Sequence, residues 1–224
     1  MKPLSRNKNI NTSFNCHYII YEIKKEKIMK NIGMLFLEYQ NDFLHENGTL
    51  YPLVQKCLTD AFLKNSSNVL RASRQANVSI VHVPLVSEHT PNNNYGILDT
   101  VAQSNAFKIN TWGHSFIESM NPKKNEFVIQ KKSGISAFQG TNLDVILQKN
   151  KINTVYICGL LTHICIESTV RDAYDRGYDI SVISDSVLSI DPMAHTNALE
   201  LTLPLFSKII SSNSLIEELT QTAD

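Results

Sequence analysis

Thr154-Val155-Tyr156-Ile157-Cys158 followed by Gly159-Leu160-Leu161-Thr162-His163-Ile164-Cys165 is the stretch whose reading decides the fold. The first five residues form an apolar run of strand length. After Gly159 a helical pattern opens and continues through Arg171, Asp172 and Ala173 to Gly177. Cys165 therefore falls where a strand gives way to a helix, in the first helical turn. The leading N–H groups of a helix have no internal partners, and the dipole is positive there. That setting predicts a thiol with a lowered pKa, available as a nucleophile and more readily alkylated than Cys57.

Working outward, the same strand–helix alternation fills the chain. Ile32–Leu37 predicts the first strand, ending at Glu38. Tyr51 to Ala76 reads as one helix, with Leu53, Val54, Leu58, Phe62 and Leu63 at helical spacing and Pro52 in its first turn. Ser79–Val83 predicts a second strand, closed by Pro84. A long Asn-, Pro- and His-containing connection then runs to Trp112, and connections of that length are often functional. Glu126–Gln130, Ile180–Ile183 and Lys208–Ile210 predict three more strands, with helices at Leu143–Leu147 and Ala194–Leu203. The pattern implies right-handed βαβ units: a three-layer α/β/α, Rossmann-like, six-stranded and mainly parallel sheet with helices on both faces. Ligands of such sheets bind beyond the carboxyl ends of the strands. Glu38, Lys131 and Cys165 all lie there.

Composition bounds the rest. The chain has 224 residues, 42% hydrophobic and 19% charged, with formal net charge zero. Nothing in that balance recruits nucleic acid or an anionic membrane, and no apolar run is long enough to span a bilayer. The four cysteines, Cys16, Cys57, Cys158 and Cys165, form neither a Cys-x-x-Cys pair nor a zinc spacing. Reduced thiols and a cytoplasmic setting are expected. Residues 1–28, rich in Lys and Asn, are expected to be an N-terminal extension, with the domain running over 29–224.

Chemically, a thiol at Cys165, a carboxylate at Glu38 and a lysine at Lys131 suit acyl transfer to water through a thioester. Backbone N–H groups of Cys165 and the preceding turn are placed to hold an oxyanion. Each residue also has a plainer role open to it. Cysteines are commonly small core residues, which is how Cys158 reads within its strand. His82 and His163 suit structural hydrogen bonds as well as ligation. Asp42, after Gln40-Asn41, suits capping of its own turn.

Three blocks resemble the isochorismatase-like cysteine hydrolases, a group that includes nicotinamidases, N-carbamoylsarcosine amidases and ureidoacrylate and biuret hydrolases. They are Gly33–Phe43, Phe127–Lys131 with Ser136–Leu143, and Gly159–Cys165 with Glu167–Ala173. The resemblance runs from about Met29 to the end of the chain. It implies a Cys–Lys–carboxylate triad of Cys165, Lys131 and Glu38, where Glu38 stands in place of the family's Asp with one more methylene. Lys131 keeps the family's distance from Val128-Ile129. Lys132 keeps the distance to Ser136, along a loop one residue longer than usual, and is the alternative.

The resemblance also implies a cis Leu160–Leu161 peptide, an oxyanion hole from Leu161 and Cys165, and a homo-oligomer (dimer or tetramer). Phe43, Asn110 and Trp112 are the candidate substrate contacts. Some relatives bind a metal through Asp-x-His…His. Here the segment reads His82-Val83-Pro84-Leu85-Val86-Ser87-Glu88-His89, so no metal and no cofactor is expected. The implied activity is hydrolysis of a small amide, ureide or carbamoyl compound. Two alternatives stay open: hydrolysis of the isochorismate vinyl ether, and a binding protein on the same fold in which Glu38 marks an altered site.

Overall fold

The computed structural model describes residues 31–87 and 96–221. The expectation for residues 1–28 lies outside them. Six strands, β1 (Ile32–Leu37), β2 (Ser79–Val83), β3 (Phe127–Val128), β4 (Thr154–Leu160), β5 (Asp179–Leu188) and β6 (Lys208–Ile210), form one sheet in the order β3-β2-β1-β4-β5-β6. Every pairing is parallel. The helices are α1 (Asn41–Leu44), α2 (Tyr51–Val54), α3 (Asp60–Gln75), α4 (Ile97–Ser104), α5 (Leu143–Lys149), α6 (Glu167–Asp175), α7 (Pro192–Asn197) and α8 (Ser212–Gln221). Among the described residues, no helix is long and apolar enough to cross a membrane.

Side-chain alternation along the central strands sorts the core into two layers. Met34 and Phe36 of β1, with Tyr156, Cys158 and Leu160 of β4, pack on one face with Val69 and Leu70 of α3 and Leu215 and Leu219 of α8. Leu35 and Leu37, with Val155 and Ile157, pack on the other with Leu143 and Leu147 of α5 and Val170 and Ala173 of α6. β1 and β4 are thus covered on both sides, which is why they read as unbroken apolar runs. Cys158 is fully buried in the first layer, as its strand position implies.

Local departures from the sequence reading have identifiable causes. The single helix expected over Tyr51–Ala76 is broken into α2 and α3, because the Thr59 side chain accepts the Phe62 N–H at 3.1 Å and starts a new helix. The long connection after β2 contains α4, and β5 runs five residues beyond Ile183 past an irregularity in its pairing with β4. The expected helix over Ala194–Leu203 becomes α7, a π-helical stretch at Ala198–Thr202 and a 3₁₀ turn at Leu203–Leu205, with Pro204 inside that turn. The carboxyl-terminal helix α8 had no counterpart in the sequence reading.

β1 and β4 are neighbours, and the chain winds outward from them in opposite directions. Their carboxyl ends form the switch point where an open α/β sheet leaves a crevice. Gly159 sets how closely the two strands approach there. It pairs with Leu37, adopts φ +125°, and a Cβ on it would lie 2.1 Å from the Leu37 carbonyl oxygen. Gly159→Ala is expected to cost more than about 4 kcal/mol or to prevent folding, since both the conformation and the contact exclude a side chain. Urea or thermal unfolding of the variant measures this.

Candidate active site

Glu38 leaves β1 in the left-handed region, at φ 63°. Its N–H donates to the Val83 carbonyl at 2.9 Å and its carbonyl accepts the Gln40 N–H at 2.8 Å, a tight turn that takes the chain off the sheet. The following residues anchor the surrounding loops. The Gln40 amide accepts the Leu85 N–H at 2.7 Å and donates to the Leu85 and His114 carbonyls. Asn41 donates to the Trp112 carbonyl at 2.8 Å. Asp42 accepts the N–H of Thr49 at 3.1 Å, the capping of the following turn open to it from sequence, and also that of Phe107, 65 residues on, at 2.7 Å.

The lysine that meets Glu38 is Lys132. Its Nζ lies 2.6 Å from Glu38 Oε1, 2.9 Å from the Gly134 carbonyl and 3.9 Å from Cys165 Sγ. Lys132 is fully buried, whereas Lys131 is exposed at φ 61°. This corrects the choice of Lys131. The left-handed residue absorbs one position, and the chain regains register where Lys132 bridges Leu85 and accepts the Val86 N–H at 2.7 Å. Downstream, Ser136 donates to Asp172 at 2.8 Å and the Ala137 N–H to Thr169 at 3.0 Å, fixing the block on α6. Spacing to this anchor, not to Val128-Ile129, selects the lysine.

Cys165 sits in a π-helical turn, Thr162–Ile166, between β4 and α6. The peptide bond Leu160–Leu161 is cis, as the family resemblance implied. Thr162 Oγ1 and His195 Nδ1 are 2.9 Å apart, and His163 Nδ1 and Ser189 Oγ 2.7 Å apart, so both histidines fasten this turn to the segment after β5. His82 is likewise structural: its Nε2 is 2.8 Å from Glu126, which also holds Arg74 at 2.7 Å. His89 lies outside the described residues. Among the described residues no group of three or more His, Cys, Asp or Glu converges in a way that could hold a metal ion.

The resting protonation differs from the sequence expectation. Burial and then the Glu38 carboxylate push the Cys165 thiol well above its ordinary value; the Lys132 ammonium and the Leu161 N–H pull it down but are outweighed. Burial opposes the Lys132 charge too, yet Cys165 and Glu38 together raise its pKa. Cys165 thus lies beside a lysine–carboxylate ion pair, and burial together with that carboxylate opposes loss of its proton. Glu38 Oε2, buried and without a hydrogen-bond partner, is the acceptor available to the thiol proton.

Cys165 and Glu38 open on a narrow pocket, about 20 Å³, walled by Phe43, Leu50, Leu53, Leu85, Leu161 and Ile164 and roofed by Ile97, Leu98, Thr100 and Val101 of α4, with Ile135 at its side. Of the candidate substrate contacts, Phe43 lines it. Asn110 and Trp112 do not, which corrects that expectation. Hydrogen bonds from α1 hold the backbone at Gly113 and Ser115, and the half-exposed Trp112 ring packs edge-on against His45, 4.8 Å between centroids. The α4 wall was not evident from sequence, since a short helix inside a long connection carries little periodic signal.

Replacing Lys132 by Met is expected to cost about 3–5 kcal/mol, because it strands a buried carboxylate, while Lys131→Met stays within about 0.5 kcal/mol of wild type; chemical denaturation of the two variants separates the assignments. Glu38→Gln removes a cause that raises the thiol and leaves Lys132 in place. Its Cys165 should ionise at lower pH than in wild type, read as thiolate absorbance at 240 nm against Cys165→Ala.

Comparison with known proteins agrees with this architecture. The isochorismatase domain model matches residues 33–214. The isochorismatase family protein YddQ of Bacillus subtilis is 28% identical over 156 residues, 69% of this chain and 76% of that protein. The ureidoacrylate amidohydrolase RutB of Methylorubrum extorquens is 33% identical over 84 residues, 38% of this chain and only 34% of RutB. Among solved structures, a cysteine hydrolase from Pseudomonas syringae superposes with TM-score 0.74 at 20% identity, covering 87% of this chain and 94% of that one. N-carbamoylsarcosine amidase from Thermoplasma acidophilum gives TM-score 0.65 at 26% identity, covering 82% and 97%. With the domain match spanning most of the chain and the fold shared throughout, the chain belongs to the isochorismatase family of hydrolases.

Proposed function

We propose that the protein hydrolyses a small amide, ureide or carbamoyl compound through a thioester on Cys165. The observation that carries this reading is the contact set of Lys132 Nζ, 2.6 Å from Glu38 and 3.9 Å from Cys165, the latter two lining one pocket. Relatives whose names denote amide hydrolysis, RutB and N-carbamoylsarcosine amidase, support it.

Glu38 Oε2 takes the thiol proton as Sγ attacks the substrate carbonyl carbon. The oxygen gains the negative charge and is held by the N–H groups of Leu161 and Cys165. Glu38 returns the proton to the substrate nitrogen, the C–N bond breaks, and ammonia or an amine departs. Water then attacks the thioester, giving its proton to Glu38. The C–S bond breaks, and the sulfur leaves as a thiol after recovering that proton. Lys132 remains an ammonium throughout and holds the Glu38 side chain in position.

Cys165→Ala and Cys165→Ser should abolish turnover of a small amide, and Glu38→Gln should lower kcat/KM by about 10²–10⁴-fold. Glu38→Asp, although it restores the family's residue, should still be slower by about 10²-fold, because this site is built around the longer side chain. Acid-quenching wild type during turnover should show the acyl mass on the Cys165 peptide. Isochorismate turnover that survives Cys165→Ala would instead establish the vinyl-ether alternative.

A further inference from the structure

We infer that the acyl part of the substrate is small, apolar and uncharged, and that the site rejects compounds carrying a carboxylate. The chemistry of turnover rests on the thioester reading above; the binding preference does not.

The argument begins with the walls. Phe43, Leu53, Leu85, Ile97, Val101 and Ile135 face the cavity, and among the described residues the only polar one lining it, apart from Cys165 and Glu38, is Thr100. Among the described residues that line the pocket there is no Lys, Arg or His. A bound carboxylate would lose its water and find no cation among those residues in exchange.

Lys132 cannot take that part. Its ammonium has three protons, and they are directed at Glu38 Oε1 at 2.6 Å, the Gly134 carbonyl at 2.9 Å and Cys165 Sγ at 3.9 Å. Glu38 Oε2 is a further buried acceptor with no partner, so an incoming anion would meet an anion. A neutral amide meets the opposite situation. Its N–H donates to Glu38 Oε2, its carbonyl accepts from the backbone beside Cys165, and its hydrocarbon end removes apolar walls from water. Ureidoacrylate and N-carbamoylsarcosine, after which two of the similar proteins are named, both carry a carboxylate. This chain is thereby assigned a different substrate class within the same fold.

Isovaleramide and malonamate test the inference, being of equal heavy-atom count and differing in an isopropyl group against a carboxylate. Binding of each to the Cys165→Ala protein is measured by calorimetry and ligand-observed NMR, and hydrolysis by wild type is followed as ammonia release. Isovaleramide is expected to bind at least about 100-fold more tightly than malonamate and to show at least that ratio in kcat/KM. Equal or tighter binding of malonamate, or binding of neither, overturns the inference. If isovaleramide binds with the expected preference and wild type hydrolyses neither compound, the pocket assignment stands and the thioester reading falls.

Discussion

The buried contact between Glu38 and Lys132 is the constraint around which the carboxyl end of the sheet is arranged. Both side chains are almost wholly removed from water, and Nζ and Oε1 are 2.6 Å apart. Neither charge is tolerable alone at that depth, so each element that delivers one must be held by the rest of the fold. β1 delivers Glu38 through a left-handed turn, and the strand line of β3 delivers Lys132 after a left-handed residue at Lys131. Non-glycine residues in that region cost about 1–3 kcal/mol each and cluster at working sites. Here both lie at the junction where regular sheet ends and the pocket begins.

The ion pair also decides the state of the sulfur. A helix N-terminus favours a thiolate, and the Leu161 N–H does act in that direction, but burial and the nearby carboxylate are stronger. Two negative charges would otherwise share one water-poor cavity with a single ammonium. On the proposed mechanism the thiol gives its proton to Glu38 only as the sulfur bonds to a substrate carbonyl carbon.

Rigid support and restricted chemistry meet in the segment after Glu38. Gln40, Asn41 and Asp42 spend their side chains on backbone groups of loops distant in sequence, from Leu85 to His114. Those bonds hold the connection that carries α4 and leave its apolar residues to form the pocket roof. Polar residues near the site thus hold its loops in place, while most of the cavity lining is hydrocarbon.

Much of this was legible along the chain because the signals are local. β1 and β4 read as strands since both faces are buried, and Cys158 and Cys165 were told apart by their place within and beyond a strand. The parallel layout and the position of the site followed from strand–helix alternation. What only the tertiary structure decided involves residues whose partners are far away in sequence. Lys131 and Lys132 are chemically identical neighbours, and the choice between them rests on a bridge to Leu85 and an anchor on α6. Asn110 and Trp112 lie outside the pocket lining, and the loop at Trp112, Gly113 and Ser115 is tied by hydrogen bonds to α1, about 70 positions away in sequence. The thiol's protonation depends on the balance of burial, one carboxylate and one ammonium brought from three separate strand ends. Electrostatic energy depends on distance and solvent exposure, and neither is written in the order of the residues.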